Sequence, residues 1–433
     1  MYRRCLTSQI TSRLLNVNDL QMHILEVVPA QQIHGTPQHT NQANKHPLIL
    51  LLHGFPELAY SWRKVMVSLS EKHEGYHVVA PDMRGFGRTI ISIAPFHILS
   101  IVADIRSLVE ALGYGSVALL VGHDFGSLVA GHCAVAYPKL VKSVVFMSAP
   151  FTGVAGNIGT LSPSTSSRSG PSADDNKTSA PPPSTPLSAA LAALAPPRKH
   201  YTHYFSSCNA NSDMRTSQGG LHAFLRAYFH AKSGDWPGND PHPLPSSTDL
   251  AFLPHYYVMP LHMTMPEVIN AHMAGISPSQ GWLSDEEISV YATEYRRTGF
   301  QGGLNYYRSM VAPTSPEWSD EVCALIGRRV GVPAAFIAGS RDWNIYQVPG
   351  AEKKMRELML GADDSSFVLV PDAGHWVQQE APEEVNFTIA SSKKWQVIFL
   401  ISAGDQHGDQ SLLIFLYSTE AKVTVMDEIV ILF

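Results

Sequence analysis

The sequence predicts an α/β fold with a mostly parallel central sheet and an inserted helical region, and three observations carry that expectation. First, short apolar runs recur, each ending at Gly, His, Asp, Pro or Ser: Leu48 to Leu52, Val78 to Ala80, Val117 to Val121 and Val144 to Met147. Each is continuously apolar rather than alternating, as in strands buried on both faces of a parallel sheet. Second, helix-length stretches lie between them, at Leu99 to Leu112 and Ser127 to Ala136. Third, the strand-then-turn pattern returns late, at Ala334 to Ala338 and Phe367 to Val370. Alternating strand and helix signals define the α/β class.

The two blocks set the domain plan. Residues 1–150 form the first part of the core and 311–390 the second. The region between, 151–310, is rich in Tyr, Trp, His and Met and reads as an insertion. Its opening, Asn157 to Pro197, is dominated by Ser, Pro, Thr and Ala. Such a stretch buries too little apolar surface to offset the cost of ordering it, so disorder is expected there, with a helical cap over 198–310. A shorter polar loop, Gln31 to His46, separates an early strand around Met22 to Val28 from the strand at Leu48. Residues 391–433 form an atypical C-terminal tail.

Composition narrows the function. With 433 residues, 45% of them hydrophobic, the chain can bury a large core. Its formal charge of −6 comes without a Lys/Arg run that could track a phosphate backbone, so no nucleic-acid partner is expected. Cys5, Cys133, Cys208 and Cys323 form no CxxC pair and read as reduced, buried thiols of an intracellular protein. The 20 histidines include no HExxH and no His/Cys pairing, so neither metal nor cofactor is expected. The first twenty residues carry Arg3, Arg4 and Arg13 but no apolar secretory core, and no run approaches the roughly 18 apolar residues of a membrane span. The C-terminal Ile-Leu-Phe is no peroxisomal address, and a cytoplasmic location is expected. No pattern sets an oligomeric state.

The chemistry centres on Gly122-His123-Asp124-Phe125-Gly126. It follows an apolar strand and precedes a helix with small residues at Ala130 and Gly131, the G-x-nucleophile-x-G elbow. The glycines permit the sharp turn and let the helix pass close to the strand. Here the nucleophile position holds Asp. His53-Gly54-Phe55-Pro56-Glu57 ends an earlier strand, and the backbone N–H groups of Phe55 and Phe125 are the expected oxyanion donors. His53, Pro56 and Trp376 are candidate pocket residues. Asp342 and His375 each follow a late strand, where sites of open α/β sheets gather. The order Asp124, Asp342, His375 is that of nucleophile, acid and base. Asp363, Asp364 and Asp372 compete for the acid position, and a buried structural role competes for His375.

An aspartate nucleophile redirects the substrate class. Attack on an acyl carbon would give a mixed anhydride. Attack on an sp³ carbon gives a stable alkyl ester, which water activated by His375 can hydrolyse. Epoxides and alkyl halides are the candidates.

These motifs resemble the epoxide hydrolase family of the α/β-hydrolase fold. The blocks are HGFPE at 53–57, PDMRGFGRT at 81–89, GHDFG at 122–126, GSRDW at 339–343 and GHW at 374–376. The segments Lys199 to Phe205 and Thr298 to Arg308 resemble those carrying the family's two cap tyrosines. The resemblance implies Tyr201 and Tyr307 as donors to the epoxide oxygen, with Tyr204 and Tyr306 as neighbouring alternatives. It also implies a small hydrophobic epoxide and water as reactants. It covers Met22 to Asn386 apart from the two polar insertions. It departs at the Ser/Pro-rich stretch before Tyr201, at Phe125 where many relatives carry Trp, and after Asn386, where the closing amphipathic helix is lost. A haloalkane or haloacid dehalogenase shares the Asp–His–Asp core, but would use a halide donor such as an indole after the nucleophile, which Phe125 lacks. An inactive ligand-binding protein on the same fold is the alternative of another class.

Overall fold

Among the described residues the apolar runs pair into a nine-stranded sheet. The computed structural model describes residues 6–29, 46–72, 75–91, 96–154, 187–245, 247–274, 281–311 and 316–391. In chain order, β1 (Thr11–Val17) turns back into β2 (Leu20–Val27), and β3 (Leu48–Leu52) leads to α1 (Arg63–Ser70). Next come β4 (His77–Pro81), the short β5 (Ile90–Ile91), α2 (Ile98–Ala111), β6 (Leu119–His123), α3 (Phe125–Ala136) and β7 (Val144–Met147). The inserted region supplies α4 (Leu187–Ala192), β8 (Arg198–His200), α5 (Tyr201–Ser206), α6 (Ala210–Arg215) and α7 (Gly220–Ala231). It continues through β9 (Val258–Pro260), α8 (Met265–His272), α9 (Asp285–Thr298) and α10 (Gln301–Val311). The core resumes with α11 (Pro316–Cys323), β10 (Ala334–Gly339), α12 (Ala351–Leu358), β11 (Phe367–Val370), α13 (Val377–Glu380) and α14 (Pro382–Ser391).

The main path of the sheet is β1-β2-β4-β3-β6-β7-β10-β11, with β5 beside β2. From β4 to β11 every pairing is parallel, while β1, β2 and β5 pair antiparallel. This is an α/β-hydrolase fold. Every residue of β3, β4, β6, β7 and β10 is buried. Each fully buried Val, Leu or Ile there contributes about 1.5–3 kcal/mol of transfer free energy, which the continuously apolar sequence anticipates. The elbow strand β6 lies between β3 and β7. That placement gathers the loops after β3, β6, β10 and β11 at one end of the sheet.

The inserted region is tied to this end of the core by α9. Capping boxes at Thr264/Glu267 and Ser284/Glu287 fix the starts of α8 and α9. From α9, Tyr291 Oη lies 2.8 Å from Ser61 Oγ, Tyr295 donates to the Glu57 carbonyl at 3.2 Å, and Glu294 accepts from Arg88 Nε at 2.9 Å. Glycines bring α10 down onto the core. A Cβ at Gly302 would collide with the Gly85 carbonyl, and one at Gly303 with the Phe55 and Phe86 rings.

Several expectations need correction or fall elsewhere. Of the stretch expected to be disordered, Asn157 to Thr185 and Pro186 lie outside the described residues. Its end is ordered: α4 spans Leu187–Ala192 and buries Leu191. The loop 31–45 and the tail from 392 also lie outside the described residues. The chain does not lose helix after Asn386, because α14 runs to Ser391 and buries Val385 and Ile389. Cys133 is buried as expected, whereas the free thiols of Cys208 and Cys323 are exposed. Among the described residues, no helix is long and apolar enough to cross a membrane.

Candidate active site

Asp124 sits on the strand-to-helix turn with φ 53° and ψ −116°. A non-glycine residue in that left-handed region is strained, and its neighbours explain how the turn closes. A Cβ at Gly122 would meet the Gly126 carbonyl, one at Gly126 the Leu52 carbonyl, and one at Gly54 the Asp124 side chain. Glycine at all three positions lets α3 and the loop after β3 close around the carboxylate. The Phe55 N–H donates to Asp124 Oδ1 at 3.1 Å. Burial works to raise the Asp124 carboxyl, but the adjacent His375, with Lys232 and His123, outweighs it and holds the group well below the usual carboxylate range.

His375 faces Asp124, with Nε2 3.4 Å from Oδ2. Its other ring nitrogen, Nδ1, lies 3.0 Å from Asp342 Oδ2. Asp342 Oδ1 accepts from the Asn344 N–H at 2.8 Å, so the acid is itself oriented. The structure brings the three sequence candidates together, and Asp342 is buried whereas Asp363, Asp364 and Asp372 lie away from the imidazole at exposed or half-exposed positions. The His375 backbone is also fixed. Its N–H donates to the Lys232 carbonyl at 2.9 Å, and its carbonyl accepts from Ser148 Oγ at 2.9 Å and pairs with His123 Nε2 at 2.7 Å.

Two acids, Glu57 buried and Glu380 half-buried, support this loop, and the sequence singled out neither role. Glu380 accepts from the N–H groups of Gly374 and Trp376, which flank His375, and from Gly234 N–H on the cap side, at 2.8–2.9 Å. Burial drives its carboxyl up to about 7 despite those donors. Glu57 lies 2.5 Å from His123 Nδ1 and accepts from the Gly54 N–H and Gln378 Nε2. Burial opposes a charge on His123, yet Glu57 raises the imidazole, and Glu57 itself is lowered despite burial. The pair lies buried under the loop that carries His375.

The inserted region brings Tyr201 and Tyr307 together beside the elbow. Their ring centroids are 5.9 Å apart, and Tyr307 also packs edge-on against Phe55 at 5.4 Å and Phe125 at 5.6 Å. Tyr307 is one helical turn beyond Gly303, the position that lets α10 touch the core. Burial first, then the Asp124 charge, raises both phenols above their ordinary range, so both hold their protons as donors. The alternatives are turned away. Tyr306 Oη donates to the Arg84 carbonyl at 3.0 Å, and Tyr204 Oη to Asp213 at 3.1 Å.

The remaining candidates divide. Pro56 is buried beside Phe55 in the loop after β3. His53 is not available to a substrate: its Nδ1 lies 2.9 Å from the Gly54 carbonyl and its Nε2 accepts from the Met83 N–H. Trp376 is fully buried behind His375, with Nε1 donating to the Phe229 carbonyl at 2.8 Å. Both are corrected to packing roles, because every polar atom they carry is already committed. Among the described residues no group of three His, Cys, Asp or Glu side chains could hold a metal.

Residues 47–172 match the family described as alpha/beta hydrolase fold. Epoxide hydrolase 3 of Siraitia grosvenorii is 28% identical over 385 residues, covering 87% of this chain and 96% of that protein. Epoxide hydrolase A of Mycobacterium tuberculosis is 29% identical, covering 87% and 94%. Among solved structures, epoxide hydrolase A from Mycobacterium thermoresistibile superposes with TM-score 0.61 at 27% identity, covering 88% of this chain and 97% of that one. Potato epoxide hydrolase I gives 0.59 at 27% identity, covering 88% and 98%. The protein is thus a hydrolase of the α/β-hydrolase fold with aspartate at its nucleophile elbow. Within that fold it is similar, over most of its length, to the epoxide hydrolases named above.

Proposed function

We propose that the chain converts an epoxide to a vicinal diol through an alkyl ester on Asp124. One observation carries this reading: an aspartate occupies the elbow, 3.4 Å from an imidazole oriented by a second aspartate, with two buried tyrosines packed together beside the elbow. Asp124 Oδ2 attacks an epoxide carbon and the C–O bond breaks. The epoxide oxygen takes a proton from Tyr201 or Tyr307, and the second phenol donates a hydrogen bond. His375 Nε2 then removes a proton from water, and the hydroxide attacks the ester carbonyl of Asp124. The Phe55 and Phe125 N–H groups stabilise the oxyanion on that carboxyl. Collapse frees the diol and restores the carboxylate, and the proton on His375 returns to the phenolate. One water is consumed.

The named relatives, all epoxide hydrolases, support the substrate class. The phenols favour an epoxide over an alkyl halide, because a departing halide needs no proton. The test is incubation of the purified chain with styrene oxide. Diol from the wild type and none from Asp124→Asn is expected. Equal diol formation by a freshly prepared Asp124→Asn protein would remove the proposal.

A further inference from the structure

Lys232 is a buried cation that the mechanism above does not use. It follows α7 at the cap-to-core junction, and only 5% of its surface is exposed. Its Nζ lies over three rings, 4.8 Å from the centroid of Tyr257, 5.5 Å from Trp376 and 5.8 Å from Tyr228. No side-chain oxygen of a described acid lies within 4.0 Å of it. Every other buried charge near the reaction has a close partner: Asp342 has His375, and Glu57 has His123. A buried ammonium held by rings alone is costly unless longer-range charges favour it. The charges here do so. Burial outweighs them and leaves the ammonium below its ordinary range, while Asp124, Asp342 and Glu57, in that order, oppose the shift.

The reaction explains why such a charge is useful. The nucleophile must be anionic and the base must be neutral, yet Asp124 and Asp342 flank one imidazole at 3.4 and 3.0 Å. Two carboxylates beside a buried histidine draw a proton onto it. A protonated His375 could not activate water. A fixed positive charge nearby stabilises both carboxylates and opposes a second positive charge on the ring.

We propose that Lys232 is a positioning residue of the hydrolytic step, a buried positive charge that adds to the stabilisation of the Asp124 carboxylate and opposes a second positive charge on His375. The charged groups acting on it are Asp124 of the elbow, Asp342 after β10 and Glu57 after β3, and Trp376 after β11 lies against its ammonium. Tyr228 of α7 and Tyr257 before β9 complete the set. Only the side chain is invoked, since the Lys232 carbonyl that holds the His375 N–H is present in any variant.

The proposal rests on the epoxide hydrolase reading, and its test separates the two. Lys232→Met keeps the stem and removes the charge, while Lys232→Arg restores it. In quenched single turnovers with styrene oxide, ester hydrolysis by Lys232→Met should need a pH about one unit higher to reach half its plateau, the scale of one neighbouring charge. That is about tenfold slower hydrolysis on the acid limb, with the alkaline plateau retained, and Lys232→Arg should recover the wild-type profile. Ring-nitrogen NMR of the resting proteins gives the second readout: the His375 signal should titrate at higher pH in Lys232→Met than in wild type. An NMR shift without any ester in the wild type would sustain the charge role and reject epoxide turnover. An unchanged NMR titration would overturn the proposal, as would a loss of rate at every pH that tracks a lower Tm and is not rescued by Arg.

Discussion

Asp124 and His375 stand 3.4 Å apart but are held there by different means. Asp124 is placed by backbone geometry. Its strand, β6, is buried throughout between β3 and β7, and three glycines shape the turn around it. His375 follows β11, which pairs with β10 alone along the sheet path and leaves Leu369 48% exposed. Little in that strand fixes the base. The Glu380 carboxylate, the Lys232 carbonyl, His123, Ser148 and Asp342 do so instead. A nucleophile fixed by local chain shape can be read from five consecutive residues. A base fixed by contacts from five separate segments can be read only by its type and its order in the chain.

The largest effect belongs to the elbow. Asp124→Asn should lower alkylation by roughly 10⁴-fold or more, since the amide keeps the shape but not the nucleophile. Rapid-quench mass spectrometry checks this, with deamidation monitored in the same spectra. On the other side of the comparison, His375→Gln should leave alkylation running and slow ester hydrolysis by roughly 10²–10⁴-fold. A substrate-sized adduct should then accumulate. A variant that neither accumulates adduct nor loses turnover would reduce His375 to a structural residue.

The cap sharpens the contrast, because it touches the first step alone. Losing Tyr201 or Tyr307 to Phe leaves the other phenol, so each single variant should stay measurable. The double variant should lose at least the roughly 10²–10³-fold that removal of one such donor typically costs, and lose it in ester formation. An unchanged alkylation rate in the double variant would point to halide rather than epoxide chemistry.

The smallest effect tests the loop clamp. The Glu380 carboxyl is raised by burial to about 7, above its ordinary 4.5. A raised carboxyl means the folded state binds the proton more tightly than the unfolded chain. That contribution is complete below about pH 4.5 and is lost as pH climbs through about 7. Glu380→Gln cannot titrate. The Tm advantage of wild type over this variant should therefore shrink between pH 5 and 7.5, by roughly a few degrees. A constant difference would show that Glu380 is already charged across that range.

Legibility followed the same divide. The strands and the turn after β6 were visible because buried parallel strands are apolar throughout and because the turn admits only glycine at its crowded positions. The choice between Tyr306 and Tyr307 was not visible. Adjacent residues on a helix point about 100° apart, and only the seating of Gly302 and Gly303 on the core decides which one faces Asp124. Lys232 and Glu380 were missed because a charged residue at a helix end ordinarily faces water. His53 and Trp376 sit beside the right motifs, but hydrogen bonds to the Met83 N–H and the Phe229 carbonyl, far off in the chain, occupy them.

The central claim is that Asp124, not water, attacks the substrate first. A single turnover with enzyme in excess, run in heavy-oxygen water, tests it most directly. The account predicts that the first diol carries no heavy oxygen beyond that exchanged in a control, and that the peptide containing Asp124 gains one. Heavy oxygen in that first diol, with an unlabelled Asp124 peptide, would mean that water opens the epoxide directly and would contradict the account.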